Sequence, residues 1–474
     1  MKLSHLFAAV FTLLLSSATI SAEPIKFDEG TKYSRVALES RIHDFYGNKK
    51  LMGFPGYLMD GTMETPLPEN SKTKFDYVPG LVAKAAMEAV DYYKQEAWAR
   101  GVYYSIEWYA NKYFDKIPTE GGSLDDLNSA KVYIPIYDLT KEGGLYANFC
   151  SDSTAIKSQM AIDATVKGLK AHIEKYSIKD SQFEEARGGM WHKKGNPNEM
   201  WLDDPYMGGA LMAQLVNHGK TFTGTAEGDW DFITNQFNII WSYLWNNEKH
   251  LLHHGFSATP KEPESACWAD PETGRSQEFW ARAEGWFFLA LVDVLEEMQK
   301  GKVDTTSNYI ILRQHLNELA AGIAQYQEQR TGCWYQLIDK GAGYNATEYK
   351  GVEMAPKYNY LESSASALFI ASYYKGMRLG LLDTDYKAMC DKAYRGFIET
   401  FVVNDGTPFG GIDIVNSCRS AGLGGKNKRD GSAPYYLLGE DVSRVTEREM
   451  LTEGKALGAF ILAALEYERA HPDE

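Results

Sequence analysis

The sequence predicts an all-α chain closed into a single ring of helical hairpins. Three observations point there. Eleven segments beyond Tyr77 repeat apolar residues at three-and-four spacing, the mark of helices with a buried face. Many of them are apolar on more than one face, as in Trp286-Phe287-Phe288-Leu289-Ala290-Leu291, so they are enclosed on several sides. No alternating strand series and no βαβ rhythm interrupts them. Nor is there the repeat of about 34–45 residues that a helical solenoid would carry.

The elements follow in order. Lys2, an uncharged apolar run from Leu6 to Leu15, and small residues at Ser16-Ser17-Ala18 and Ser21-Ala22 open the chain. This predicts a secretory signal peptide over residues 1–22, too short for a membrane span, and hence a periplasmic or secreted protein. Residues 23–75 are mixed and read as an N-terminal extension lying on the main body, with a weaker helical pattern near 34–45. The main body, 76–474, carries the helical segments Ala83–Tyr93, Tyr103–Phe114, Leu127–Tyr137, Ile156–Tyr176, Tyr206–Val216 and Trp230–Trp245. Phe279–Met298, Ile310–Tyr326, Leu361–Leu379, Tyr386–Phe401 and Ala456–Tyr467 complete the set. Loops rich in Gly, Pro, Asp and Asn, such as Gly188-Gly189 and Pro260 to Gly274, separate them.

Composition narrows the function. In 474 residues, 49 Lys+Arg face 64 Asp+Glu, a net charge of −15. So acidic a chain is a poor nucleic-acid binder, which needs basic surface against phosphate. No later apolar run is long enough for membrane insertion. The 30 Tyr, 21 Phe and 11 Trp suit a carbohydrate site, because aromatics stack on sugar rings, but they also fill cores. Five widely spaced cysteines, an odd number, predict mostly buried free thiols rather than a disulfide framework.

Three clusters concentrate chemistry. The first runs Gly188-Gly189-Met190-Trp191-His192-Lys193 and then Met200-Trp201-Leu202-Asp203-Asp204. Alone, a carboxylate there is as readily a helix N-cap. The second holds His253-His254, Trp268, Trp280, Arg282 and Trp286; Arg282 and Trp286, four apart, share a helix face. Arg282 there meets either an anion or a buried acid. The vicinal histidines lack an HExxH pattern or a cysteine partner, so no metal is expected. The third joins Gly332-Cys333-Trp334-Tyr335-Gln336 with Tyr360-Leu361-Glu362-Ser363-Ser364-Ala365-Ser366.

Read together, the strings GGMWHKKGNPNEMWLDDPYMGG, WADPETGRSQEFWARAEGW, GCWYQLIDKG and YLESSASALF resemble glycoside hydrolase family 105. That family holds the unsaturated rhamnogalacturonyl hydrolases, relatives of the unsaturated glucuronyl hydrolases. The resemblance spans Tyr77 to Glu468. It implies an (α/α)6 barrel that removes a 4,5-unsaturated uronic acid from the non-reducing end of polysaccharide-lyase products, without a cofactor. It further implies that Asp203 is the general acid/base and Asp125, beside Asp126, the second essential carboxylate. Tyr77, His192, Lys193, Trp201, His254, Arg282, Trp286 and Trp334 are then substrate-binding residues. Asp204 departs from the family's usual glycine and is expected about 100° further around the helix, away from the chemistry. The loop 421–448 looks enlarged and is expected to shape substrate choice.

The chemistry such a substrate asks for is specific. Protonation at C4 of the enol ether creates oxocarbenium character at C5, water adds there, and the hemiketal opens to expel the glycan. One carboxyl serves both proton transfers. An ordinary inverting glycosidase would instead use two carboxylates flanking the anomeric carbon. A non-catalytic glycan-binding protein would need neither. The basic residues of the motifs favour the uronate.

Overall fold

The computed structural model describes residues 23–46, 75–94, 97–179, 181–404, 411–439 and 454–472. The expected signal peptide lies outside them, as does the expected extension from residue 47 to 74.

Among the described residues there are fourteen α-helices. They are α1 (Tyr33–Tyr46), α2 (Tyr77–Tyr93), α3 (Ala97–Tyr113), α4 (Leu124–Asn128), α5 (Tyr133–Thr140), α6 (Thr154–Lys175) and α7 (Ala210–Asn217). The rest are α8 (Ala226–Leu244), α9 (Ala281–Lys300), α10 (Ser307–Gln325), α11 (Ser363–Arg378), α12 (Lys387–Phe401), α13 (Ala433–Leu438) and α14 (Gly454–Ala470). A 3-10 turn, Ser129–Val132, joins α4 to α5, and a π-helical turn, Pro205–Gly209, leads into α7.

The packing closes a ring. α2 packs on the α4–α5 unit, that unit on the 205–217 helix, then α9, α11 and α14, and α14 returns to α2. An outer layer of α3, α6, α8, α10, α12 and α1 backs these six. This is the expected (α/α)6 barrel. Its inner helices are the segments apolar on several faces: α9 has Phe287, Phe288, Leu289, Ala290, Leu291 and Val292 all buried, as an enclosed helix must. The weak pattern near 34–45 is an outer helix, not part of a loose extension. Ser34 binds Glu468 of α14 through its backbone N–H and hydroxyl (3.0 and 2.8 Å), and Phe27 meets Tyr394 and Tyr467 edge-on.

The inner helices run in one direction. Their first residues gather at one end: Tyr77 contacts Trp286, the Lys455 ammonium lies 6.0 Å from the Tyr77 ring, and Arg282 lies 4.0 Å from Glu362. Their last turns gather at the other. There Lys375 pairs with Asp293 and Glu296 (2.6 and 2.9 Å), Lys84 with Glu88 (2.5 Å), and Arg378 doubly with Glu466 (both 2.7 Å). Cations suit that end, where helix dipoles leave partial negative charge. A cavity of about 1680 Å³ opens among these paired charges, away from the carboxylates of the sequence motifs.

Among the described residues, four two-stranded sheets decorate the loops: β1 (Glu199–Trp201) with β4 (Gly255–Ser257), β2 (Trp245–Asn246) with β3 (Leu251–Leu252), β5 (Asn345–Tyr349) with β6 (Val352–Tyr358), and β7 (Val402–Asn404) with β8 (Ile412–Ile414); all but β5 and β6 are too short for the alternation that would betray them in the sequence. One fixes the site. β1 pairs antiparallel with β4, Trp201 opposite Gly255. All five cysteines are free; Cys333, Cys390 and Cys418 are buried.

Candidate active site

The site forms where the inner helices begin. Asp203 ends the turn after β1, and Asp204 opens the helical run through the π-turn. His254 immediately precedes β4, and its carbonyl accepts from Leu202 N–H (2.9 Å). The sheet register therefore sets Asp203 against His254: the imidazole Nε2 lies 3.6 Å from Asp203 Oδ2. Asp125 reaches the same place from the first turn of α4, whose N-cap is Ser123. It pairs with Lys193 Nζ at 2.5 Å and faces His192 Nε2 at 3.9 Å. Its neighbour Asp126 is exposed.

Two imidazoles flank Trp201. His192 stacks on it with centroids 4.1 Å apart, and His254 meets it at 5.6 Å and 62°. The far nitrogen of each ring is also held. His192 Nδ1 lies 2.6 Å from Asp204 Oδ1, while Asp204 Oδ2 accepts Trp201 N–H at 2.7 Å. His254 Nδ1 is hydrogen-bonded to the Tyr436 hydroxyl. Asp204 is thus not turned away from the chemistry as expected; the tight turn before the π-helical residues carries it back beneath His192. Burial lowers the His192 imidazole well below its usual range, with Lys193 adding to the effect. Burial also raises the Asp204 carboxyl well above its usual range, against the Trp201 N–H and with the charges of Asp203 and Asp125. Both directions favour the neutral forms, a carboxylic acid facing an imidazole.

The vicinal histidines diverge. His253 packs on Phe279 (4.4 Å), away from the pair that His254 makes. Behind β1, the Glu199 carboxylate accepts from the Trp201 indole N–H (3.0 Å), Asn196 (2.9 Å) and Ser265 (2.9 Å), fixing the Trp201 ring.

Residues 55–471 match the family model described as Glycosyl Hydrolase Family 88.

The chain belongs to this family.

It is therefore a glycosidase. A family 105 glycoside hydrolase from C. acetobutylicum ATCC 824 has a similar structure: TM-score 0.66, 28% identity, covering 93% of this chain and 100% of that one. The unsaturated glucuronyl hydrolase of Bacillus sp. GL1 shares the fold at TM-score 0.53 and 13% identity, covering 93% of this chain and 97% of that one. The 24.9 kDa protein in picA locus of Rhizobium radiobacter is 32% identical over 222 residues, 46% of this chain and 81% of that protein.

This family 88 enzyme brings Asp203, Asp125, His192, Lys193, Trp201 and His254 together. Tyr77 and Trp286 meet edge-on where α2 and α9 begin (6.3 Å, 85°), and Trp286 stacks on Tyr206 (4.6 Å). Trp286 is 1% exposed and belongs to the barrel interior. Two expectations need correction. Trp334 offers no ring face to a sugar: it is fully buried, donates its indole N–H to Ile323 O (2.9 Å) and meets Phe369 edge-on. Arg282, also buried, turns its guanidinium to the Cys418 carbonyl, the Ser364 hydroxyl (3.2 Å) and Glu362, over the Trp280 ring. It meets a buried acid and ties the 416–420 loop to α11. Sequence reasoning missed Glu199 and Tyr436. Glu199 was hidden among the motif's polar residues, and Tyr436 lies in the loop read only as enlarged.

Proposed function

We propose that this glycosidase removes a 4,5-unsaturated uronic acid from the non-reducing end of oligosaccharides left by polysaccharide lyases. The observation that carries the reading is the unequal state of the two carboxylates. Asp125 is neutralised by Lys193 at 2.5 Å, and a carboxylate so paired is a poor proton acceptor. Asp203, among the described residues, has no Lys or Arg partner and faces the His254 imidazole at 3.6 Å. One proton-transferring carboxyl beside one ion-paired carboxylate fits hydration of a double bond. An inverting glycosidase would need a second free base.

In this reading Asp203 gives its proton to C4 of the enol ether. Positive charge develops at C5, and the Asp125 carboxylate stabilises it. Water adds at C5, losing a proton to the Asp203 carboxylate, and the resulting hemiketal opens to release the glycan. The six converging helix N-termini favour an anionic ligand. Lys193, with 37% of its side chain exposed, keeps ammonium N–H donors free of its bond to Asp125 for a substrate carboxylate. The apolar run Leu6–Leu15 supports export, so that substrate is met outside the cytoplasm.

The test is incubation with lyase digests of pectin, ulvan and glycosaminoglycan, following the ultraviolet absorbance of the conjugated alkene. Loss of absorbance with release of the shortened glycan is expected, and saturated uronosides should be inert, because an sp3 C4 accepts no proton. Cleavage of saturated uronosides with the alkene absorbance untouched would overturn the reading.

A further inference from the structure

We propose that Tyr436 is a positioning residue for proton transfer: its hydroxyl donates to His254 Nδ1 and thereby aims His254 Nε2–H at Asp203 Oδ2. This rests on the reading of Asp203 as the acid/base.

Tyr436 comes from α13, a six-residue helix whose N-cap Ser432 accepts from Tyr435 N–H (3.2 Å). The segment leading to α13 is pinned over the site: Leu423 packs with Trp201 and Trp268, and a Cβ on Gly255 would strike Leu423. Tyr436 is fully buried, its ring stacked on Trp280 at 6.1 Å, and Trp280 packs on His254 at 4.7 Å. Neither ring has room to turn.

Within this enclosure the hydrogen-bond inventory decides the proton positions. Among the described residues, the Tyr436 hydroxyl has one hydrogen-bond partner, His254 Nδ1. A phenol can donate or accept. Were it to accept from Nδ1–H, its own proton would be buried without an acceptor, at the cost of a desolvated donor. It therefore donates, Nδ1 accepts, and the single proton of the neutral ring sits on Nε2. Burial keeps both partners neutral, pushing the phenol well up and the imidazole down. Among the described residues, His254 Nε2 has no hydrogen-bond acceptor and Asp203 Oδ2 has no donor. They face each other at 3.6 Å, a separation that catalytic pairs close when substrate binds. An Nε2–H held on Oδ2 leaves Oδ1 as the oxygen that carries the proton to C4. The opposite tautomer would point an Nε2 lone pair at Oδ2, so that Oδ2 rather than Oδ1 would hold the proton.

Two arms test this. In the first, wild-type enzyme with 15N-labelled histidine is compared with His254→Gln to identify the His254 resonances. The neutral Nε2–H tautomer is expected, and the Nδ1–H tautomer would overturn the proposal. This arm needs no substrate, so it stands apart from failure of the functional reading, which would show as wild-type inactivity on every unsaturated digest. In the second, Tyr436→Phe should lower kcat about 10- to 100-fold and leave KM within about two-fold. In the His254→Gln background the same substitution should lower kcat no further. A KM effect without a kcat effect, or an independent fall in the double variant, would assign Tyr436 a packing or substrate-contact role instead. If Tyr436→Phe fails to fold, the tautomer measured in the wild type still decides.

Discussion

Asp204 offers the sharpest test of how this site is protonated. It holds two groups, Trp201 N–H at 2.7 Å and His192 Nδ1 at 2.6 Å, and is 3% exposed. If the pair is neutral, Asp204 carries a proton on Oδ1 and accepts on Oδ2. Asparagine reproduces that pattern: its amide N–H donates to Nδ1 and its oxygen accepts from Trp201. Asp204→Asn should then keep kcat within about three-fold and leave stability nearly unchanged, since a buried hydrogen bond replaced in kind costs little. Asp204→Ala leaves both partners buried without a bond, about 1–3 kcal/mol each, or about 2–6 kcal/mol together. Part of that loss should appear in urea denaturation and part in kcat, because His192 loses its fixed tautomer opposite Asp125. The assay is urea denaturation beside steady-state loss of the conjugated-alkene absorbance for both variants. If asparagine is as damaging as alanine, Asp204 is ionised, the pair is an imidazolium–carboxylate, and the reasoning from burial fails.

Two further outcomes follow from buried charge. Glu199 has its carboxyl pushed up by burial to about 7 from an ordinary 4.5. Below pH 4.5 it is protonated both folded and unfolded; as pH rises to 7 the unfolded chain ionises first, so about 3 kcal/mol of stability is lost across that window. Glu199→Gln can turn its amide N–H to Ser265 and its oxygen to Trp201, so its stability relative to wild type should rise by about 3 kcal/mol from pH 4.5 to 7; parallel curves in denaturant would contradict this. Arg282→Ala leaves Glu362 buried without its cation and should cost about 3–5 kcal/mol of stability; a raised KM with an unchanged melting temperature would show instead that the guanidinium meets substrate.

The barrel was legible because helix periodicity is a local property. The segments fall on helices, the weaker one at 34–45 included, except that Leu127–Tyr137 runs from α4 through the 3-10 turn into α5; the faces that read as doubly apolar are the inner ring. Helix starts were legible only to within about two turns: α2 begins at Tyr77 rather than Ala83, since the N-cap bond from Val78 N–H to Asp76 (2.9 Å) comes before the apolar spacing sets in. The motif residues that converge, from Asp125 to His254, were named from strings of sequence. What the strings do not carry is direction. Trp334 and Trp201 look alike as letters, yet one donates to a main-chain carbonyl in the wall and the other stands between two imidazoles. Tyr436 was illegible because its partner is 182 residues away and the helix presenting it has only six residues.

The two ends of the barrel divide the energetic labour. At the far end nearly every buried charge has an opposite partner: Lys375 with Asp293 and Glu296, Arg378 and Arg469 with Glu466. At the near end Asp125 Oδ1, Asp203 Oδ2 and His254 Nε2 are, among the described residues, buried without a hydrogen bond, a cost of about 1–3 kcal/mol apiece. Such groups persist only where the surrounding structure over-determines them, and here the closed helical ring and the β1–β4 register do so. Their cost is recovered when a seated ligand restores the missing bonds, closing His254 Nε2 on Asp203 Oδ2 and giving Asp125 Oδ1 a donor. A substrate that fits without supplying them gains little, so the same orphaned atoms that weaken the fold set the terms of recognition.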